Sequence, residues 1–208
     1  MSADELILVR HGQSTWNAER RWQGQADPPL SALGRTQGSI LARQLTRLLG
    51  TESTVRVHSS DLRRAADTAT ILAHAIGCEV ELDRDLREID IGSFSGRTRA
   101  QIVEDDPSAI LAYHRGEQRW SGGETFDEHE QRSERALATV LAAARTGSVI
   151  AVSHGGTIRA MTRRLLGMPH EERWRMTGPG NGGIVHFRRG TNGWRLFAYN
   201  AKVEPPED

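Results

Sequence analysis

Three short stretches gather the side chains that could do chemistry. Residues 8–17, LVRHGQSTWN, end an apolar run on Arg10, His11 and Gly12. Residues 58–65, HSSDLRRA, carry Arg63 and Arg64. Residues 152–160, VSHGGTIRA, put His154 and Gly155 behind another apolar run. A structural histidine has no need of an arginine neighbour, and a glycine beside both is a poor way to continue a strand. The planar guanidinium fork suits a phosphate or a carboxylate. A helix N-terminus with arginine in its first turn is a site for an oxyanion. Together the three stretches offer Arg10, His11, Arg64 and His154 to one place, and the ligand expected there is a phosphate.

Plainer readings compete for each stretch taken alone. One His-Gly after a strand is commonly a loop. SSDLRRA alone is a capped amphipathic helix. Two histidines with Glu88 would make a metal site, but arginines packed beside them would repel the cation. A P-loop is excluded, because no stretch has the Gly-x-x-x-x-Gly-Lys-Ser/Thr pattern.

These residues need elements to position them. Leu6 to Val9 is a continuous apolar run, as in a strand covered on both faces. Residues 11–30 read as loop. Ser31 is the expected cap of a helix with Leu33, Ile40, Leu41, Leu45, Leu48 and Leu49 at helical spacing and Gly50 as its stop. Val55 to Val57 is a short strand. Ser60 or Asp61 is the expected cap of a second helix ending at Gly77. Val80 and Leu82 suggest a further strand, residues 83–97 look irregular, and residues 98–122 hold short helices broken near Pro107. A long helix is expected from Phe126 to Ala144. Val149 to Val152 repeats the opening pattern and leads to a helix from Thr157 to Leu166. Residues 184–187 and 194–199 form a hairpin around Thr191-Asn192-Gly193, and residues 201–208 read as a disordered tail.

Alternation of this kind predicts one α/β domain over residues 1–208. The expected architecture is a three-layer sandwich with a mostly parallel central sheet and helices on both faces. In such sheets ligands sit outside the carboxyl ends of the strands, which is where His11 and His154 fall.

Composition limits the function classes. The chain has 208 residues, 37% of them apolar and 26% charged, which suits one sizeable soluble core. Lys+Arg and Asp+Glu are both 27, so neither nucleic acid nor an anionic membrane is implied as a partner. Lys202 is the only lysine, leaving 26 arginines. The plain reading of that skew is a codon bias, and the functional one is that some of these arginines supply planar forks for phosphate or carboxylate. Cys78 is the only cysteine. The start MSADE has no basic, apolar signal character, and no run approaches ~20 apolar residues. A cytoplasmic protein is expected.

The combination of stretches resembles the histidine phosphatase superfamily, in the branch of the cofactor-dependent phosphoglycerate mutases and their phosphatase relatives. The resemblance runs from about Leu6 to Tyr199. It rests on RHGQSTWN at 10–17, RWQGQADPPLSALGRTQ at 21–37, SSDLRRAADTA at 59–69 and LREIDIGSFSG at 86–96. GGETFDEHEQR at 122–132, VSHGGTIRA at 152–160 and Asn181 complete it. It implies a phosphomonoester hydrolase of a small phosphorylated metabolite, with no metal and no organic cofactor. It also allows a homodimer. His11 is then the nucleophile that becomes phosphohistidine, and His154 a second catalytic histidine. Glu88 is the proton donor. Arg10, Asn17, Arg64, Arg21, Gln23, Gly24 and Gly155 contact substrate or phosphate. Gln13 stands where many relatives have glutamate, and Gly182-Gly183 replace a small residue and serine.

The alternatives are a cofactor-dependent phosphoglycerate mutase and a non-catalytic phosphate-binding module. Only 35 residues separate Glu88 from Gly123. The mutases carry a longer insertion there that covers the site, so phosphatase is preferred. A pure binder needs neither a nucleophile nor Glu88. Residues 105–122, with Tyr113, His114, Arg115, Arg119 and Trp120, are expected to line the mouth. Arg21 with Arg115 or Arg119 would meet a second anionic group of the substrate.

Overall fold

The computed structural model describes residues 5–50 and 54–201. In chain order the elements are β1 (Glu5–Arg10), α1 (Thr15–Ala18), α2 (Ala32–Leu49), β2 (Val55–Ser59), α3 (Arg63–Ile76) and β3 (Val80–Leu82). They continue with α4 (Arg99–Asp105), α5 (Ala109–Arg115), α6 (Phe126–Ala143), β4 (Ser148–Ser153), α7 (Gly155–Leu165), β5 (Ile184–Gly190) and β6 (Gly193–Ala201). The sheet order is β3-β2-β4-β1-β5-β6. Strands β3, β2, β4 and β1 are parallel, and β5 runs against β1 and β6.

Strand parity divides the core. Leu6, Leu8, Val149 and Ala151 face Leu137 and Val140 of α6 and Ile158 and Met161 of α7. Ile7, Val9, Ile150 and Val152 point the other way, onto Leu41 and Leu45 of α2 and Ala65 and Leu72 of α3. Both faces of β1 and β4 are therefore covered, which is why their sequences are continuous apolar runs. Each such buried side chain contributes about 1.5–3 kcal/mol. The α/β three-layer architecture is the expected one. A third cluster, built on Ile89, Ile91, Phe94, Ile102, Trp120 and Phe126, caps the carboxyl end of the sheet.

Several boundaries differ from the sequence reading, and β5 runs on to Gly190. The loop at 11–30 contains α1, because Ser14 and Asn17 form a capping box. Helix α3 starts on Leu62 and not on a Ser60 or Asp61 cap. Asp61 is drawn into a two-pronged ion pair with Arg87 at 2.6 and 2.5 Å. Asp27, from a distant loop, accepts from the Arg63 N–H at 2.6 Å instead. Helix α7 begins at Gly155, two residues early, with His154 as its N-cap. Ala201, assigned to the tail, closes β6. The rest of the tail expectation lies outside the described residues.

The first turn of α2 meets the loop after His11 backbone to backbone. A Cβ on Gly34 would stand 2.0 Å from the Gln13 carbonyl oxygen, and one on Gly12 would stand 2.4 Å from that of Gly34. Alanine at 34 gains up to about 1 kcal/mol of helix propensity, but overpacking costs typically about 1–3 kcal/mol. Gly34→Ala is therefore expected to lower the denaturation midpoint and to weaken phosphate binding. Unchanged values for both would show that the contact is not tight.

Candidate active site

Register brings the site together. Arg10 lies opposite Ser153 in the β1–β4 pair, and Ser59 opposite Val152 in the β2–β4 pair. The ladder runs one step further on each side. His11 N–H donates to the Ser153 carbonyl and Ser60 N–H to the Val152 carbonyl, both at 3.0 Å. Three neighbouring strands therefore end at one level, with Ser60, His154 and His11 in a row. Above them is a cavity of about 230 Å³, lined by nine of the ten residues expected at the site. Gly155, the tenth, lines an adjoining cavity.

His11 is 2% exposed. Its Nδ1 lies 2.7 Å from the Gly12 carbonyl oxygen, which only accepts, so Nδ1 carries the proton. Nε2 then holds a lone pair, and Arg64 Nε donates to it at 3.2 Å. Burial, then the charges of Arg64 and Arg10, hold the imidazole well below its ordinary pKa against the opposing Gly12 bond. It is a neutral base facing a cationic wall.

Arg64, in the first turn of α3, is 1% exposed. Its remaining nitrogens donate to the carbonyls of Ala26 (2.7 Å) and Gly24 (2.8 Å). Burial lowers its pKa to about 10, so it keeps its proton at neutral pH. Arg10 donates to the Pro179 carbonyl at 2.7 Å, and its Nε has no partner among the described residues. His154 Nε2 lies 2.9 Å from Ser60 Oγ. That oxygen also accepts from Leu62 N–H, and a hydroxyl can either donate to Nε2 or accept from it. The His154 Nδ1 is also buried without a partner. Burial, then Arg64, keep this imidazole neutral.

Glu88 enters from the irregular segment after β3. It does not pair with its neighbour Arg87, which is held by Asp61. Its Oε2 accepts from Gly156 N–H at 2.9 Å, at the positive end of α7, and its Oε1 from Ile89 N–H at 3.0 Å. Burial pushes its pKa up. His129, the two N–H groups and Arg10 outweigh that and leave it below the ordinary carboxyl value. The segment is held by a strut outside the expected set. Arg132 pairs with Glu124 at 2.6 Å and donates to the carbonyls of Arg87 (2.6 Å) and Glu88 (3.0 Å). His129 Nε2 sits 4.0 Å from Glu88 Oε1 and 3.0 Å from Thr157 Oγ1. His129 and Arg132, three residues apart on one face of α6, carried part of this signal, while Glu124 lies before the helix.

The other expected residues divide by chemistry. Asn17 Oδ1 is occupied by Ser14 and by Asn181 Nδ2 at 3.0 Å, so only its NH₂ faces a ligand. Gln23 accepts from Ser14 Oγ at 2.7 Å. Gly24, at φ +52°, supplies the carbonyl that holds Arg64. Arg21 is tied to Glu19 at 2.7 Å and to the Gly96 carbonyl. Gly182 N–H is clamped to the Arg10 and His11 carbonyls.

The mouth needs correction. Trp120 is buried in the capping cluster, with its indole N–H on the Glu124 carbonyl. Arg119 pairs with Glu117 in solvent, and Arg115 lines neither cavity. Tyr113 lines both. Among the described residues, no three His, Cys, Asp or Glu side chains gather to hold a metal ion. No helix among them is long and apolar enough to cross a membrane.

Burial also keeps His129 low, at about 4. An unfolded imidazole titrates near about 6.5. Below that pH the unfolded chain binds protons that His11, His129 and His154 refuse in the fold, so stability is present above about pH 6.5 and is lost as pH falls through it. The melting temperature should drop between pH 7.5 and 5, before most carboxylates protonate. A flat profile in thermal denaturation would contradict three buried neutral imidazoles.

The chain is similar to known proteins over nearly its whole length. The sequence profile of the histidine phosphatase superfamily (branch 1) matches residues 6–202. Glucosyl-3-phosphoglycerate phosphatase of Mycobacterium tuberculosis is 36% identical over 226 aligned positions, covering 100% of this chain and 99% of that one. A solved structure of mycobacterial glucosyl-3-phosphoglycerate phosphatase with VO3 superposes with a TM-score of 0.85 at 35% identity, over 96% of this chain and 100% of that one. A probable phosphoglycerate mutase of Salmonella choleraesuis is 37% identical over 79% of this chain and 76% of its own length. The chain belongs to branch 1 of the histidine phosphatase superfamily, as a phosphatase that works through a histidine.

Proposed function

We propose that the chain hydrolyses a small phosphomonoester in two transfers on His11, with glucosyl-3-phosphoglycerate, the substrate in its relatives' name, as the first compound to test. The observation that supports this most directly is the His11 tautomer: Nδ1 is committed to Gly12, and Nε2 presents its lone pair beside Arg64. In the first transfer the Nε2–P bond forms and the ester O–P bond breaks, while Glu88 gives its proton to the leaving alkoxide. In the second, a water oxygen bonds to phosphorus, the N–P bond breaks, and Glu88 takes the water's proton. Atoms and charges balance without a metal or organic cofactor.

Arg10 and Arg64 neutralise the phosphoryl oxygens, and the Asn17 NH₂ adds a donor. Phosphoryl oxygens also satisfy two buried unpartnered nitrogens, Arg10 Nε and, with the ring proton on Nδ1, His154 Nδ1. Gln23 and Gly24 set Asn17's neighbour Ser14 and Arg64 in place. Arg21 and Gly155 border the entrance. The reading extends to a cytoplasmic enzyme of soluble substrates.

The test is release of inorganic phosphate from a panel of phosphomonoesters, with single-turnover labelling of the protein. An acid-labile, base-stable phosphoprotein and sustained phosphate release are expected. The mutase reading is favoured by the Salmonella relative. It would show instead as phosphoryl exchange between phosphoglycerates that needs added bisphosphoglycerate. Binding without label or release would leave the phosphate-binding module.

A further inference from the structure

The proton donor has a neighbour that the two transfers do not use. His129, on α6, is 4% exposed, and its Nε2 sits 4.0 Å from Glu88 Oε1. Thr157 of α7 settles where the ring proton lies. Its Oγ1 is 2.7 Å from the Arg87 carbonyl oxygen, which only accepts, so the hydroxyl proton is committed there. At 3.0 Å from His129 Nε2 the same oxygen must therefore accept, and the imidazole carries its proton on Nε2. The other tautomer would turn a nitrogen lone pair on both the hydroxyl oxygen and the carboxylate. Glu88 Oε1 takes the N–H of Ile89, and a carboxylate oxygen has room for a second donor. Hydrogen bonds of catalytic groups are often long in free enzymes and tighten in the substrate complex.

The groups facing Glu88 come from several elements. Arg10 of β1 and Arg64 of α3 act on it by charge. Gly156 of α7 donates its N–H. Arg132 of α6 is matched by Glu124. Burial keeps the Tyr113 phenol of α5 protonated, and His11 and His154, both neutral, line the same cavity. His129 differs from the arginines in one respect. A phosphomonoester dianion neutralises Arg10 and Arg64, so their pull on Glu88 weakens when substrate binds. His129 is flanked by Glu88, Arg132, Glu124 and Glu130, and burial keeps it neutral. It has no charge for the substrate to cancel, so its N–H dipole acts on Glu88 in the free enzyme and in the complex alike.

We propose that His129 is a positioning residue for the proton donor: its Nε2–H, aimed by Thr157, holds the Glu88 carboxylate in place and favours its ionised form before and after substrate binds. The proposal rests on the phosphatase reading above, with Glu88 as acid and then base. The ionised form is the one that takes the proton of the attacking water in the second transfer.

The test is the pH profile of kcat/KM for β-glycerol phosphate, an alkyl ester, beside p-nitrophenyl phosphate, an aryl one, in wild type, His129→Phe and His129→Gln. His129→Phe keeps an aromatic ring and loses the N–H. That disfavours the carboxylate and lets the acid form persist to higher pH, so the alkaline limb for the alkyl ester should move up by about half to one pH unit. The aryl ester, whose phenolate leaves unaided, should change less than about twofold. His129→Gln, whose amide N–H can stand near the place of Nε2, should restore the wild-type limb. NMR titration of the Glu88 carboxyl, identified by its loss in Glu88→Ala, should show the same rise in His129→Phe with and without inorganic phosphate. A uniform loss of rate with the limb unmoved, equal movement in both variants, or an unmoved carboxyl titration would overturn the role. His129→Leu takes the place of His129→Phe if that variant does not fold. If the wild type hydrolyses neither ester, the phosphatase reading fails, and the carboxyl titration still decides the role of His129.

Discussion

Replacing His11 by alanine is expected to lower kcat at least about 10⁴-fold, roughly 5.5 kcal/mol of barrier, and to abolish the phosphoprotein. Arg10 and Arg64 stay in place in this variant, so the affinity for inorganic phosphate should change less than about tenfold. Loss of chemistry with retained binding is what a nucleophile predicts. A residue that merely shaped the pocket would lose both together. The structure gives the reason His11 is ready to attack at neutral pH. Its proton is held on Nδ1 by the Gly12 carbonyl, and burial with two guanidinium neighbours keeps Nε2 unprotonated. Phosphate release that survives in His11→Ala would move the nucleophile elsewhere.

The second large effect is at Glu88. Glu88→Ala should cost about 10²- to 10⁴-fold with an alkyl phosphate, whose leaving alkoxide needs a proton. An aryl phosphate, whose phenolate leaves unaided, should lose less in the first transfer. Glu88→Gln is a less clean variant. Both carboxylate oxygens accept backbone N–H bonds, and the amide would turn a donor against one of them. In the free enzyme the carboxyl lies below its ordinary pKa, so the acid form is scarce at neutral pH. A bound phosphate dianion neutralises Arg10 and adds negative charge nearby, and both effects raise the pKa. The alkaline fall of kcat should therefore sit at higher pH than that of kcat/KM for the same alkyl ester. Coincident limbs, or limbs unchanged in Glu88→Ala, would remove Glu88 from the proton path.

Much of this was legible in order along the chain. The runs at 6–9 and 149–152 are apolar at every position because both faces of a central strand are covered, so local pattern and final place agree. His11 and His154 follow those runs directly, which puts them at strand ends in any parallel sheet. Arg64 was legible as an arginine in the first turn of a helix that follows a strand, whereas Asn17 and the role of Glu88 were identified through whole motifs and not through their own surroundings.

The sequence by itself determined the residue types, the strand-then-glycine pattern and the α/β alternation, since these depend on contacts within a few residues. Tertiary structure decided the rest. It moved the cap of α3 from Asp61 to Asp27, because a two-pronged bond to Arg87 outcompetes a local one. It set Glu88 on the first turn of α7, where backbone N–H groups and His129 overcome burial and draw its pKa down. It sent Trp120 into a core and Arg119 into solvent. Each of these outcomes turns on which charges and backbone groups lie within a few ångströms, and residues as far apart as Glu88 and Gly156 become neighbours only when the sheet closes.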